Sequence, residues 1–412
     1  MKSASAAALL AALLVLGVSA CTPAAPAEIT VSPREGIYDP VDIQLSGLPA
    51  GREVSIESTA VIESVRFESQ ASFVVSDAGT LDLARDVPIS GDWDSADSMA
   101  PLWALTSSTP RSYGMWDDAH TVNIAVSDSE GKVIVETDIE RPGNAPDVVT
   151  QPVRTEQVAG IYAKPTTLEG GEKRPAVLVF SGSEGGLGYA TATARWLAGL
   201  GYPALAIAYF DHPGLPQDLR DVPVETFENG LHWLREQPEV ELSRVFSYGV
   251  SRGGEMALWL AAEHPDLVYG AFAPTGAGVV VCSIGGPRIA AWSRNGQPLT
   301  ENCETKPTAS DDRQTQIDVA GISGPVVLAC GTEDALWNAC AAVDDIAERR
   351  AQNTQAETLI TRQDGASHYI SNPPFIPEYY EGALIEQRTA TRAAQLSFWN
   401  DVVTVLSGES TG

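Results

Sequence analysis

Positive charge is scarce in this chain. Its 412 residues carry 26 Lys and Arg against 54 Asp and Glu, a formal net charge of -28. Nucleic-acid phosphates are held by Lys and Arg, so that partner is excluded. Adsorption to an anionic membrane surface is excluded for the same reason. The acidity reads as a solubility device. Histidine and cysteine are also rare, with five of each. No paired C-x-x-C and no Cys/His cluster occurs, so the sequence offers no metal site of the zinc type. Low-complexity runs and internal repeats are absent too. The composition is that of a globular protein, 44% hydrophobic and 19% charged. The length is too great for one ordinary domain, so two are expected.

The chain opens M-K-S-A-S-A-A-A-L-L-A-A-L-L-V-L-G-V-S-A-C. One basic residue, a short apolar run and small residues before Cys21 read as an export signal over 1–20. The run is too short and wrongly flanked for a stable membrane span. Val18-Ser19-Ala20-Cys21 resembles a bacterial lipobox, which makes Cys21 the lipidated first residue of a tether over 21–27. The expected location is therefore a bacterial cell-surface or periplasmic-side lipoprotein, membrane-attached only through that lipid. Export means an oxidising compartment. Cys282, Cys303, Cys330 and Cys340 then allow three pairings. Local loop closure favours Cys282–Cys303 and Cys330–Cys340.

From 28 to 140 short alternating strands follow one another with turn residues between them, among them Val41–Leu45, Val54–Glu57 and Thr121–Val126. That rhythm predicts an antiparallel β-sandwich. A Pro/Gly-rich linker is expected over 141–153. From 154 to 408 the rhythm becomes strand–helix–strand. Apolar runs at Ala176–Phe180, Ala204–Ala208, Val245–Tyr248, Val268–Ala273 and Val326–Ala329 alternate with helical stretches. Such alternation predicts an α/β domain, a mostly parallel sheet covered on both faces. Residues 276–320 are irregular and read as an insertion above the sheet.

The chemistry centres on Gly249-Val250-Ser251-Arg252-Gly253, which fits G-x-S-x-G between an apolar strand and an amphipathic helix. Such a turn holds a serine hydroxyl out at the carboxyl edge of a sheet. The helix N-terminus beside it favours developing negative charge. The serine needs a base, and in this arrangement an acid and then a histidine follow it in chain order. The acid belongs just past Val326–Ala329. There Asp334 is the first choice, with Glu333 next and the more distant Asp364 third. His368 is the only histidine after Asp334 and is the expected base. His264 reads as a helix-end cation, and His120, His212 and His232 as structural. The oxyanion donors are expected to be the backbone N–H of Arg252 and that of Ser183, with Glu184 next, in the glycine-rich Ser181–Gly186 loop. The chemistry calls for no metal and no organic cofactor.

Several motifs in order carry a resemblance over nearly all of the mature chain. They are D-P-V-D-I-Q-L-S-G-L-P-A-G (39–51), D-S-M-A-P-L-W-A-L (97–105), F-S-G-S-E-G-G-L (180–187), A-I-A-Y-F (206–210), V-P-V-E-T-F-E-N-G-L-H-W-L (222–234), G-V-S-R-G-G-E (249–255) and G-A-S-H (365–368). Together they resemble the acyl-CoA thioesterase and bile acid-CoA:amino acid N-acyltransferase family. The resemblance implies an immunoglobulin-like domain before an α/β-hydrolase domain, a triad on Ser251, Asp334 and His368, and acyl-thioester hydrolysis or transfer. The family's amino-acid transferases use cysteine as nucleophile; serine here favours water as acceptor. Three functions follow: hydrolysis of a small acyl ester or thioester, acyl transfer to an amine or alcohol, and surface binding on an inactive hydrolase scaffold.

Overall fold

The computed structural model describes residues 25–32, 40–107, 119–141, 147–168, 171–284, 289–307, 314–352, 357–377 and 384–408. The expected export signal, Cys21 and the start of the tether lie outside them.

The first unit is all-β apart from one helical turn, Ala100–Trp103. Its five-stranded antiparallel sheet runs in the order Ser90–Gly91, Val65–Val74, Glu53–Ile62, His120–Asp128, Val133–Arg141. The period of two is visible in E-V-S-I-E-S-T-A-V-I, where Val54, Ile56, Ser58, Ala60 and Ile62 are buried and their neighbours are not. A two-residue turn joins Ile62 to Val65, with Glu63 and Ser64 at φ 50° and 68°. Primed turns of that kind match the twist of a hairpin. A three-stranded sheet, Glu28–Val31, Ile43–Ser46 and Leu81–Asp82, shares its core with the first, through Ile43, Leu45, Ile56, Phe67, Phe73 and Trp93.

The second unit holds an eight-stranded sheet. In chain order its strands are β1 (Val148–Arg154), β2 (Ala159–Pro165), β3 (Arg174–Phe180), β4 (Ala204–Ile207), β5 (Val240–Gly249), β6 (Gly270–Pro274), β7 (Val326–Gly331) and β8 (Thr358–Gln363). Their spatial order is β1-β2-β4-β3-β5-β6-β7-β8. Only β1 and β2 run against their neighbours; β4, β3 and β5 to β8 are parallel. This is an α/β-hydrolase sheet. Its central strands, among them β3, β4, β6 and β7, are buried on both faces, which is why they read as unbroken apolar runs. In β3, Ala176, Leu178 and Phe180 face one core cluster while Val177 and Val179 face another. Helices α2 (Glu225–Arg235), α3 (Arg252–Glu263) and α4 (Ala339–Arg350) cover the first face, and α1 (Gly188–Gly199) and α5 (Ile385–Ser407) the second.

The sheet begins at Val148, inside the stretch expected as linker. The strand carries Pro152 and mostly exposed side chains, so it shows no apolar run. A sheet edge tolerates both features. The insertion contributes Trp292–Arg294 and Gln297–Pro298, which join Val222–Pro223 in a small sheet. Two disulfides close, Cys282–Cys303 within the insertion and Cys330–Cys340 from the end of β7 to the first turn of α4. These are the locally closing pairs. Past β8, Phe375 and Ile376 pack against the core of the all-β unit. On α5, Arg388 donates to Ala104 O (2.9 Å) and Thr389 to Asp94 Oδ1 (2.7 Å). Among the described residues no helix is long and apolar enough to cross a membrane.

Candidate active site

The turn between β5 and α3 is strained at one residue. Ser251 has φ 55° and ψ −115°, a region that costs a non-glycine residue on the order of 1–3 kcal/mol. Its surroundings hold it there. The Ser251 N–H donates to Pro274 O at the end of β6 (3.1 Å), and Gly253 N–H donates back to Val250 O (2.7 Å). The flanking glycines are required by contact: a Cβ on Gly249 would fall on the Gly253 carbonyl, and one on Gly253 on the Ser181 carbonyl. The hydroxyl thus stands at the N-terminus of a twelve-residue helix, where the dipole favours negative charge.

The other residues expected at the site sit at the same carboxyl edge, on loops after β3, β7 and β8. Asp334 Oδ2 and His368 Nδ1 are 2.6 Å apart, and both side chains are almost wholly buried. The second carboxylate oxygen, Oδ1, accepts from the N–H groups of Leu336 (2.9 Å) and Trp337 (3.2 Å). One carboxylate therefore shapes its own turn and holds the imidazole. Trp337 connects this pair to the serine's neighbourhood. Its Nε1 donates to Thr275 O (3.0 Å), next to the carbonyl that fixes Ser251, and its ring meets His368 edge-on at 6.3 Å. Glu333 and Asp364 are exposed and neither is paired with His368. His264 lies at the end of α3 with Nε2 3.0 Å from Glu228. His120, His212 and His232 lie on the all-β sheet, the loop after β4 and α2.

The loop after β3 is pinned from below. Tyr209 Oη lies 3.0 Å from Ser181 O and 2.5 Å from Gly182 O, sharing its one proton between them. Gly185 and Gly186 take φ 65° and 62°. The N–H groups of Ser183 and Arg252 donate to no partner among the described residues. Gly182 N–H is engaged differently, donating to Glu184 Oε1 (3.0 Å).

Sequence reasoning missed one network. The Arg252 side chain is buried, not solvated. Its Nε lies 3.0 Å from Glu255 Oε2, and its other nitrogens donate to Cys282 O and Val281 O, each at 3.0 Å. Glu255 Oε1 accepts from Val281 N–H (2.9 Å) and from Trp292 Nε1 (2.6 Å). Burial pushes the Glu255 carboxyl up, and Arg252 together with the two N–H donors pulls it down. The elbow helix is thereby fastened to the disulfide-bearing insertion. An Arg and a Glu three residues apart on an otherwise apolar helix start were the available signal.

The acyl-CoA thioester hydrolase/BAAT N-terminal region matches residues 38–155, and the BAAT/acyl-CoA thioester hydrolase C-terminal region matches residues 222–406. Human mitochondrial acyl-coenzyme A thioesterase 2 is 26% identical over 363 residues, covering 82% of this chain and 73% of its own. Mouse acyl-coenzyme A thioesterase 6 is 26% identical over 391 residues, covering 89% and 92%. Among solved structures, an acylaminoacyl peptidase from Pyrococcus horikoshii aligns at TM-score 0.44 and 14% identity, over 92% of this chain and 61% of its own. A dienelactone hydrolase-like promiscuous phosphotriesterase from metagenomic libraries aligns at 0.43 and 16%, over 64% and 98%. Matched in both its all-β and its α/β unit, the chain belongs to the acyl-CoA thioester hydrolase/BAAT family.

Proposed function

We propose that the chain hydrolyses acyl ester or thioester bonds through a serine-bound acyl intermediate. Ser251 Oγ attacks the acyl carbonyl while the free ring nitrogen of His368, Nε2, takes its proton. Asp334 holds the imidazole by Nδ1 and stabilises its charged form. The Arg252 and Ser183 N–H groups receive the oxyanion. His368 returns the proton to the departing alcohol or thiol. Water, deprotonated by the same imidazole, then releases the acid and restores the serine.

The observation that carries this reading is the 2.6 Å contact between Asp334 and His368 at the same sheet edge as a serine held at φ 55°. A turn-shaping carboxylate needs no buried imidazole partner, and an ordinary strand-to-helix turn needs no strained serine. Covalent labelling by a fluorophosphonate, followed by a panel of aryl esters and acyl thioesters, tests it. Label and turnover should both vanish in Ser251→Ala. A folded, unlabelled and inert wild type would instead favour a binding protein on a hydrolase scaffold. A conjugate formed in preference to free acid when an amine is present would move the reading to transfer.

The named relatives are coenzyme A thioesterases. With 26 basic residues against 54 acidic ones, this chain has little with which to grip a multiply phosphorylated carrier, so the proposed substrates are small acyl esters and thioesters. We also propose an exported lipoprotein, anchored at Cys21; the two disulfides support the oxidising compartment. Incorporation of labelled palmitate that survives Cys21→Ala would refute the anchor.

A further inference from the structure

Glu184 is a carboxylate at the site that the reaction above leaves without a task. Its place is set by geometry. The residue keeps an exposed face, but its side chain folds back so that Oε1 accepts from Gly182 N–H at 3.0 Å. A Cβ built on Gly182 would lie 2.9 Å from Glu184 Oε2 and 3.4 Å from Ser251 Cβ. Carboxylate and nucleophile thus both border the space beside Gly182, which glycine leaves unfilled. The imidazole lies within electrostatic reach as well. The carboxyl is pushed up by the crowding of the cleft and pulled back by its hydrogen bonds and the field of His368. No Lys or Arg among the described residues pairs with Glu184. The nearest fixed cation on the elbow, Arg252, points its guanidinium at Glu255 and at the Val281 and Cys282 carbonyls.

We propose that Glu184 is a charge filter for the proposed hydrolysis: its carboxylate beside Ser251 selects acyl groups that carry a cation near the scissile carbonyl and rejects those that carry an anion. The filter rests on the hydrolase reading, since it acts on that reaction's substrates. A unit charge about 6–8 Å from the carboxylate, at an effective dielectric of about 20–40, changes reactivity by about 5- to 100-fold in either direction. Asp211, whose Cβ lies against Gly185 of the same loop, adds to the field with the same sign.

The test compares kcat/KM for three matched aryl esters: butyrate, hemisuccinate and 4-trimethylammoniobutyrate. The wild type should rank cation above neutral above anion. Glu184→Gln keeps an oxygen for Gly182 N–H and removes the charge, so the cation-to-anion ratio should fall at least about tenfold whatever happens to absolute rates. A ratio unchanged in Glu184→Gln, or a wild type indifferent to charge, would overturn the filter. If the variant does not fold, a salt series on the wild type decides. The ratio should shrink between roughly 10 mM and 500 mM salt as screening tightens, and a flat ratio would overturn the proposal. Equal rates from wild type and Ser251→Ala on all three esters would remove the hydrolase reading itself. Ser251-dependent turnover without charge ranking removes the filter alone.

Discussion

Replacing Glu255 by Ala should cost the fold far more than a helix-surface substitution would. The carboxylate serves three donors at once, Arg252 Nε, Val281 N–H and Trp292 Nε1. Removing it leaves a guanidinium buried and unneutralised, a loss of about 3–5 kcal/mol in comparable buried pairs. For a domain of this size each kcal/mol is worth about 2–4 °C in unfolding midpoint, so a fall on the order of 10 °C is expected by calorimetry. A double-mutant cycle sharpens the claim. Arg252→Ala should cost a similar amount, and the double variant much less than the sum, with a coupling of about 2 kcal/mol or more, because either single change already strands its partner. Limited proteolysis should show the insertion around Cys282 and Trp292 loosening first. The reasoning fails if Glu255→Ala costs under about 1 kcal/mol, or if the two losses add to within about 0.5 kcal/mol.

Three other outcomes are expected. Asp334→Asn should preserve the fold but lower kcat by about 10⁴, since the amide no longer holds the required imidazole tautomer; steady-state kinetics with the midpoint as control checks it, and a loss under tenfold would count against the assigned role. Converting Cys330 and Cys340 to Ser opens a bond that spans a sequence separation of 10. The chain-entropy value is about 3 kcal/mol, and kcat should fall with it because Asp334 is carried by the loop that the bond closes; an unchanged midpoint and rate would refute this. Asp401 has its carboxyl pushed up by partial burial and by Glu357, against a hydrogen bond from Thr361. A raised folded-state value means its contribution to stability is greatest in acid and is lost as pH rises through that value. Asp401→Asn should therefore lift the midpoint at neutral pH and give no gain in acid, where the carboxyl is already neutral; a gain confined to acid would contradict the sign.

The α/β unit was legible because its central strands, buried on both faces, leave continuous apolar runs, and because the elbow glycines are dictated by steric contact. Chain order then pointed to Asp334 and His368, the residues that meet at 2.6 Å. Other features left no such trace. The turn at Glu63-Ser64 adopts positive φ at two residues that give none of the usual Gly or Asn signal, so the alternation at Val54–Glu57 marks only part of the long hairpin of Glu53–Ile62 and Val65–Val74. Strand Val148–Arg154 hides behind Pro152 and an exposed face. The task of Arg252 and Glu255 depends on carbonyls about thirty residues away in an irregular segment, and no local period announces a long-range ion pair. Asp334 both shapes its turn and holds the base, its two oxygens dividing those duties, and sequence position alone does not separate the two.

The seat of Phe375 and Ile376 in the all-β core bears on how such chains can diversify. A short way beyond the imidazole, the polypeptide is moored to the other half of the molecule, and the ties of Arg388 and Thr389 repeat that mooring from α5. Recombination between relatives at the boundary of the two units would therefore unseat the base unless both halves came from compatible ancestors, so the leading unit should be inherited with its partner as a pair and not exchanged like a detachable module.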